Sequence, residues 1–280
     1  MKVIWILEDI FGYEEDGGSL QRMIDAIKEE GHDAKVISYE LTAKKVDMDN
    51  FSNDDCIIFR GSLGETRQIQ RTRPWVPGTI ANFPHFHFAY WGAYWGKYLM
   101  NQEYAMMPYG EFLRRKDWVF ENFGTEGRIF VRPDDGFKSF SGHVVDEDFI
   151  NTAKDPLNVV PSKIMFISKV QTITEEYRFV VVKNQVVAVS KYMSNNELDL
   201  EEGAPEAAWE LAREIAQEEW QPDLAYTLDI AKSDSYDDFR LLEVNSFSAA
   251  DIYACDPKPV VKAISEVAIE EWRSIYGDED

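Results

Sequence analysis

Two carboxylates and a carboxamide stand at alternating positions near the end of the chain. The runs Ala225 to Ala231 and Phe239 to Ser246 flank the polar stretch 232 to 238, whose Lys, Ser, Asp and Tyr residues have the composition of a turn. An antiparallel hairpin symmetric about Tyr236 sets Asp229 opposite Glu243 and Thr227 opposite Asn245, on one face because side chains alternate. Tyr226, Leu228, Ile230, Leu242 and Val244 then form an apolar second face. That face pins the register, since a slip of one residue would bury the carboxylates. Opposed carboxylates need a proton or a cation between them. Oxygen ligands from Asp, Glu and an Asn carbonyl suit Mg²⁺, which takes one or two carboxylates and completes its shell with water and phosphate oxygens. The competing account is a solvated face in a very acidic protein.

A second hairpin adds cations. In Glu176 to Lys191, a two-residue turn fits at Lys183-Asn184 or at Asn184-Gln185. Either choice puts Glu176, Arg178 and Lys191 on one face, where a planar guanidinium fork and a mobile ammonium would suit a polyphosphate. The third piece is Ile129 to Gly142, a strand ending in Arg132-Pro133 that enters a loop with Gly136, Lys138, Ser139, Ser141 and Gly142. Backbone N–H groups and hydroxyls of such a loop can cover phosphates while Arg132 and Lys138 neutralise them.

In this order the three pieces resemble the ATP-grasp superfamily. Arg132-Pro133 with Gly136 and Gly142 is followed by Val170 to Ile173 before Glu176-Tyr177-Arg178, then Lys191, Asp229 and Leu242-Glu243-Val244-Asn245. The first cation is Arg132 where most members carry Lys, so the set Arg132, Arg178 and Lys191 resembles the R2K clade, the branch named for two arginines and one lysine. The likeness covers about residues 125 to 275. It implies that Asp229, Glu243 and Asn245 hold Mg²⁺ and that Arg132, Arg178 and Lys191 contact ATP phosphates or an acyl phosphate, Arg178 and Lys191 as catalytic residues. It further implies that segment 169 to 173, with Lys169, Gln171, Thr172 and Ile173, lines an adenine pocket, with Glu175 or Glu176 near the ribose. The loop from Asp134 to Gly142, including Lys138 and Ser139, would close over the phosphates, although it is poorer in glycine than is usual in the superfamily.

These residues need a scaffold of two kinds. Residues 3 to 8 and 56 to 59 are apolar runs, and the pattern Leu20, Met23, Ile24, Ile27 ends at Gly31; together they predict an α/β lobe with a parallel sheet. Neither strand end carries a Gly-x-Gly-x-x-Gly or Walker pattern. Residues 74 to 123 are dense in aromatic side chains and read as a connector with one helix near Trp91 to Leu99. From Arg128 onward, strands predominate, interrupted or followed by helices over 205–220 and 259–276. The expected fold is an α/β amino-terminal lobe (1–124, connector included) followed by an α+β ATP-grasp module (125–280). His85-x-His87 could ligate a metal but has no further His or Cys nearby, so core or interface histidines are expected. Cys56 and Cys255 lack any ribbon or redox spacing and read as thiols of the interior.

The chain carries 29 basic and 51 acidic side chains, a net charge of -22. That potential repels nucleic-acid phosphates and anionic lipid, so neither is an expected partner. No apolar run reaches the ~20 residues of a membrane helix, and the acidic start after Leu7 does not resemble a signal peptide; a cytoplasmic location is expected. The chemistry implied is ATP-driven joining of a carboxylate to an amine, each a small molecule or a peptide end. Arg60, Ser246, Ser248 and Asp251 are candidates for the acceptor pocket. A non-catalytic nucleotide-binding or acidic interaction protein, and a kinase that stops at phosphoryl transfer, are the alternatives. Oligomeric state is not written in the sequence.

Overall fold

The computed structural model describes residues 1–11, 18–38, 51–52, 54–137, 139–152 and 158–277. The first lobe is a parallel sheet in the order β2-β1-β3-β4, built from β1 (Ile4–Glu8), β2 (Asp33–Ile37), β3 (Cys56–Arg60) and β4 (Val76–Gly78). Strand β3 is buried along its whole length and β1 nearly so, because parallel strands are covered on both faces. Helix α1 (Ser19–Glu29) covers one face through Met23, Ala26 and Ile27, and α2 (Leu63–Thr72) follows β3 with Ser62 as its N-cap.

The second part contains two antiparallel sheets. One has the order β5-β8-β6-β7, from β5 (Tyr104–Pro108), β6 (Arg128–Pro133), β7 (His143–Asp146) and β8 (Ile164–Ser168). The other has the order β11-β10-β9-β12-β13, from β9 (Ile173–Val182), β10 (Gln185–Ser194), β11 (Glu197–Glu202), β12 (Ala225–Ser233) and β13 (Arg240–Ser246). The stretch read as a connector is more structured than its sequence suggests. Besides helix α3 (Phe88–Trp95), it supplies β5, the partner of β8, and the short helices α4 (Tyr109–Arg114) and α5 (Lys116–Phe123), whose Phe112 and Val119 join the core under β6 and β8. Helix α6 (Glu147–Thr152) follows β7, and α7 (Glu206–Ala216) packs its Ala208, Ala212 and Ile215 on the five-stranded sheet. The last helix, α8 (Pro257–Tyr276), starts with Pro257 at N1 and an Asp256 cap. Its apolar side joins Trp5, Met23 and Ile58 of the first lobe to Val180 and Ala188 in one core. Among the described residues no helix is long and apolar enough to cross a membrane.

Register decides the site. Asp229 stands opposite Glu243 and Thr227 opposite Asn245, as the alternation predicts. Between Asp229 and Ile230 the ladder shifts, so Ile230 faces Leu241. Leu241 rather than Leu242 therefore enters the core, and Leu242 turns to the cleft described below. In the other hairpin the turn is Lys183-Asn184, both with positive φ (46° and 61°), as a type I′ turn requires. A bulge at Val187 changes the parity of everything beyond it. Arg178 pairs with Ser190, and Lys191 pairs with Tyr177. The expectation that Lys191 shares a face with Glu176 and Arg178 is thus corrected. A second bulge puts Tyr192 beside those two residues instead, where it donates to the Glu176 carboxylate and lies under the Arg178 guanidinium.

Both cysteines are interior. Burial pushes the Cys56 and Cys255 thiols up to about 12, so neither forms a thiolate at neutral pH. Alkylation by iodoacetamide at mildly alkaline pH should leave both unmodified in the folded chain and label both in denaturant; rapid labelling of either one in the folded chain would contradict this burial.

Candidate active site

A cleft of ≈ 340 Å³ opens between the two antiparallel sheets. One end is polar, with Glu176, Glu243, Asn245 and Arg132, the last set among Phe88, Trp91 and Phe166; Phe130, Ile173, Leu241 and Leu242 line the cleft beyond them, with Asn101. The arrangement suits a ligand with an anionic end and a flat apolar end.

At the polar end, Arg178 grips Asp229 through two parallel bonds of 2.7 Å, Nε to Oδ1 and Nη2 to Oδ2. Both side chains are inside the protein, Asp229 only 1% exposed. Burial works against the Arg178 charge, but Asp229 more than offsets it, raising the guanidinium well above its ordinary value. Arg178 Nη1 also donates to Asp251 O at 3.1 Å, and the guanidinium lies on the rings of Tyr192 and Tyr253. The Asn245 amide nitrogen bridges the two carboxylates, donating to Asp229 Oδ2 and Glu243 Oε2, each at 3.2 Å. Next to Glu243 stands Arg132, with Nη1 3.6 Å from Glu243 Oε1 and its guanidinium against Phe88, Trp91 and Phe166. Burial pushes the Arg132 pKa down, with Glu243 and Asp134 opposing. Its Nε is buried with no hydrogen-bond partner. Glu176 completes the group: burial pushes its carboxyl up, Asp229 and Glu243 add to that, and the Tyr192 hydroxyl and Arg178 pull it back.

An anion fits here, because Arg132 keeps an unused donor at the charged end of the cleft. A divalent cation fits as well. Glu243 and Asn245 line the cleft and Asp229 sits behind them, and the donor that now holds the two carboxylates together is an amide that could turn its oxygen to a metal. Once that amide turns, Asp229 Oδ2 has a lone pair for such a shell beside the one that accepts from Arg178. Among the described residues no three His, Cys, Asp or Glu side chains form a metal cluster; two carboxylates and one amide are what Mg²⁺ beside phosphates needs.

The loop after Pro133 is held down at several points. Asp134 O accepts from Phe88 N at 2.8 Å, and its carboxylate accepts from Ala89 N at 2.7 Å and His87 Nδ1 at 2.9 Å. Asp135 accepts from Lys163 at 2.7 Å and Ser139 at 2.8 Å; although burial opposes it, these donors keep the carboxyl below its usual range. A Cβ at Gly136 would come within 2.8 Å of Phe86 Cβ. Gly136→Ala should therefore push the loop out of place at a cost of about 1–3 kcal/mol, measurable in denaturant. An unchanged midpoint would mean that the loop does not pack on Phe86.

Other expected residues are spread more widely. Ile173 and Glu176 line the cleft. Ser139 is exposed and bonded to Asp135, Thr172 is exposed, and Lys169 pairs with Glu103 at 2.6 Å on the outside of the hinge. Gln171 has a buried Oε1 without a partner. Lys138 lies outside the described residues. Lys191 pairs with Asp199 at 2.6 Å. His85 and His87 do not converge on a common point, one lying 2.8 Å from Pro222 O and the other bonded to Asp134. Of the acceptor-pocket candidates, Ser248 is committed to the scaffold, its hydroxyl donating to Phe59 O and accepting from Ile80 N. Arg60 is likewise buried, donating to Phe247 O and Ala250 O, and burial pushes its pKa down to about 10. Asp251 Oδ1 accepts from Ser19 at 2.6 Å, and Ser246 is buried. Sequence reasoning missed the contribution of the connector, whose Phe86, Phe88, Trp91, Leu99, Met100 and Asn101 form one side of the cleft. Its aromatic density was the available signal.

The family model described as ATP-grasp domain, R2K clade family 2, matches residues 112–263, more than half of the chain. The chain belongs to this ATP-grasp family. No curated protein matches it. Among solved structures, D-cycloserine synthetase DcsG is similar at 12% identity and a TM-score of 0.63, over 95% of this chain and 99% of that one. The ATP-grasp ligase PsnB, complexed with a minimal precursor, is similar at 12% identity and a TM-score of 0.58, over 95% of this chain and 100% of that one. A RimK domain ATP-grasp protein from Sphaerobacter thermophilus DSM 20745 has the same identity of 12% and a TM-score of 0.58, over 94% of this chain and 99% of that one. At such identity the likeness is one of fold, and it extends through the first lobe as well as the ATP-grasp sheets.

Proposed function

We propose that this ATP-grasp chain is a Mg²⁺- and ATP-dependent ligase that joins a carboxylate to an amine. A substrate carboxylate oxygen attacks the γ-phosphorus of ATP and ADP leaves. The amine nitrogen then adds to the acyl carbon of the resulting acyl phosphate, loses a proton, and phosphate departs with the C–O electron pair. Such a sequence requires no protein nucleophile, only anions held in line with their charge neutralised. When bound, Mg²⁺ would supply charge neutralisation at the phosphates, and Glu243, Asn245 and Asp229 are the residues that would hold it.

The observation that carries this reading is Arg132 in the lining of the cleft, its Nη1 3.6 Å from Glu243 Oε1 and its Nε buried without a partner. Arg132 would bind phosphate oxygens, and its aromatic surround excludes water that would otherwise compete for the donor. Arg178, fixed by Asp229 and the two tyrosines, would orient the carboxylates and meet an anion only after Asp229 turns to the metal. Lys138 and Lys169 are proposed as phosphate contacts, Lys169 after leaving Glu103; Lys191, in the middle of β10 and paired with Asp199, would act through the sheet and not on the phosphates. Ile173, Gln171 and Thr172 belong to the hinge that would border the base. Ser139 would steady the loop through Asp135. The acceptor would enter from the side of the first lobe. A precursor peptide in the PsnB complex and the small product in the name of DcsG mark both a peptide end and a free amino acid as substrates to try.

The test is thermal unfolding with and without Mg-ATP, followed by a screen of amino acids and peptides for stimulated ADP release. Stabilisation by Mg-ATP and ADP release that needs both substrates are expected. Stabilisation without release under any pair would leave a nucleotide-binding protein; a phosphorylated product without an amide would make it a kinase. The absence of any shift at saturating nucleotide would end the nucleotide reading.

A further inference from the structure

Asn101 lies outside the residues matched to the family, yet it lines the cleft together with Leu241, Leu242 and Ile173. Its short segment is tied at both ends. Met100 N donates to Leu241 O at 2.8 Å, and Leu99 bridges to Leu241 in parallel. Three residues later, Tyr104 pairs with Ser168, and Glu103 accepts from Lys169. Asn101 is thereby strung between the start of β13 and the end of β8, beside the hinge that runs into β9. Its Oδ1 is buried with no hydrogen-bond partner. A buried carbonyl oxygen without a donor is costly, so water or a ligand in the cleft that it lines supplies one.

Both walls of the cleft say which part of a nucleotide arrives there. Along β6, Arg132 stands opposite Phe166, and Phe130 stands opposite Ser168, so the wall runs from the guanidinium toward the hinge. Along β13, the wall runs from Asn245 and Glu243 back to Leu242 and Leu241, the latter bonded to Met100. Phosphates at the charged end leave the base at the hinge end, between apolar surfaces suited to a flat ring.

We infer that Asn101 reads position 6 of a purine base, its Oδ1 accepting from the exocyclic amine of adenine. The inference rests on the nucleotide reading above. An amide can rotate to present its N–H₂ instead, so Asn101 tolerates a 6-oxo purine more readily than a carboxylate would.

Calorimetric titration of the full chain with Mg²⁺ and three nucleotides tests this: ATP, purine riboside triphosphate, which has no substituent at position 6, and inosine triphosphate, which has an oxygen there. The unaltered chain should bind ATP roughly five- to tenfold tighter than purine riboside triphosphate, the worth of one net hydrogen bond. Asn101→Ala should bind these two equally, at the weaker of the two affinities. Asn101→Asp, which holds an acceptor fixed, should keep the preference for ATP over purine riboside triphosphate and raise the ratio of ATP to inosine triphosphate affinity. The inference is overturned if the unaltered chain does not distinguish ATP from purine riboside triphosphate, or if Asn101→Ala keeps the same preference. Failure of the unaltered chain to bind any of the three would overturn the nucleotide reading itself, and the assignment of Asn101 with it.

Discussion

Arg178→Ala is expected to lower folding stability by about 3–5 kcal/mol, the cost of stranding one member of a buried ion pair. Asp229 is 1% exposed and takes both of its principal bonds from Arg178. Without the guanidinium, its carboxylate would keep only the Asn245 amide, with Glu243 and Glu176 close by in the same group. The loss extends beyond electrostatics. Tyr192 and Tyr253, stacked on each other at 4.8 Å, both lie against the Arg178 guanidinium, so a cavity opens under two aromatic rings. Urea unfolding should show the shift in midpoint, and thermal unfolding a drop of about 2–4 °C for each kcal/mol. Replacing the pair together, as Arg178→Met with Asp229→Leu, should recover most of the stability, because buried ion pairs are often no more stabilising than apolar groups of their size. Equal stability of Arg178→Ala and the unaltered chain would mean that Asp229 is not buried as described.

The same pair shows what alternation along a strand can and cannot convey. The pairing of Asp229 with Glu243 and of Thr227 with Asn245 was legible, because a one-residue slip would have put Leu228 and Val244 into water. Nothing in the composition marks the bulges. Val187 is one apolar residue among several, yet its insertion moves Lys191 to the face of Tyr177, and a second bulge, at Tyr192, sets that ring beside Arg178. The shift beyond Asp229 exchanges Leu241 for Leu242 in the core by the same means. Bulges are tertiary accommodations of twist and packing, and a run of Val, Ala and Leu permits them at several positions at equal cost. The connector was opaque for another reason. Its aromatic side chains have no helical or strand period because they serve three neighbours at once: Phe88 and Trp91 face Arg132, Trp95 packs on Tyr226, and Phe112 lies under β8. Its role as a wall of the cleft therefore follows from where the chain runs, while the order of charged residues from Arg132 to Asn245 was enough to indicate the family.

Glu243→Ala should separate catalysis from stability in the direction opposite to Arg178→Ala. Glu243 is partly exposed on the cleft, and its ion pair with Arg132 is long, at 3.6 Å. Arg132 keeps its contacts with Phe88, Trp91 and Phe166 when Glu243 is removed, and the like charges of Asp229 and Glu176 lose a neighbour. A stability loss of about 1–2 kcal/mol is expected: Arg132 loses its ion pair, but that pair is long and partly exposed, and Asp134 still acts on the guanidinium. Activity is a different matter. With Glu243 gone, the oxygen set would shrink to Asp229, already engaged by Arg178, and the Asn245 amide, so the cation would lose the ligand that needs no rearrangement to reach it. Nucleotide-dependent ADP release should fall by about 10²-fold or more, the scale of removing one preorganised charge-stabilising contact. The stabilisation by Mg-ATP, about 2.7 kcal/mol at a hundredfold excess over Kd in the unaltered chain, should largely disappear, and Glu243→Gln should recover little of it. If Glu243→Ala instead kept its turnover and its Mg-ATP stabilisation, the cation would have to be held elsewhere, and the hairpin's acidic face would revert to solvated surface.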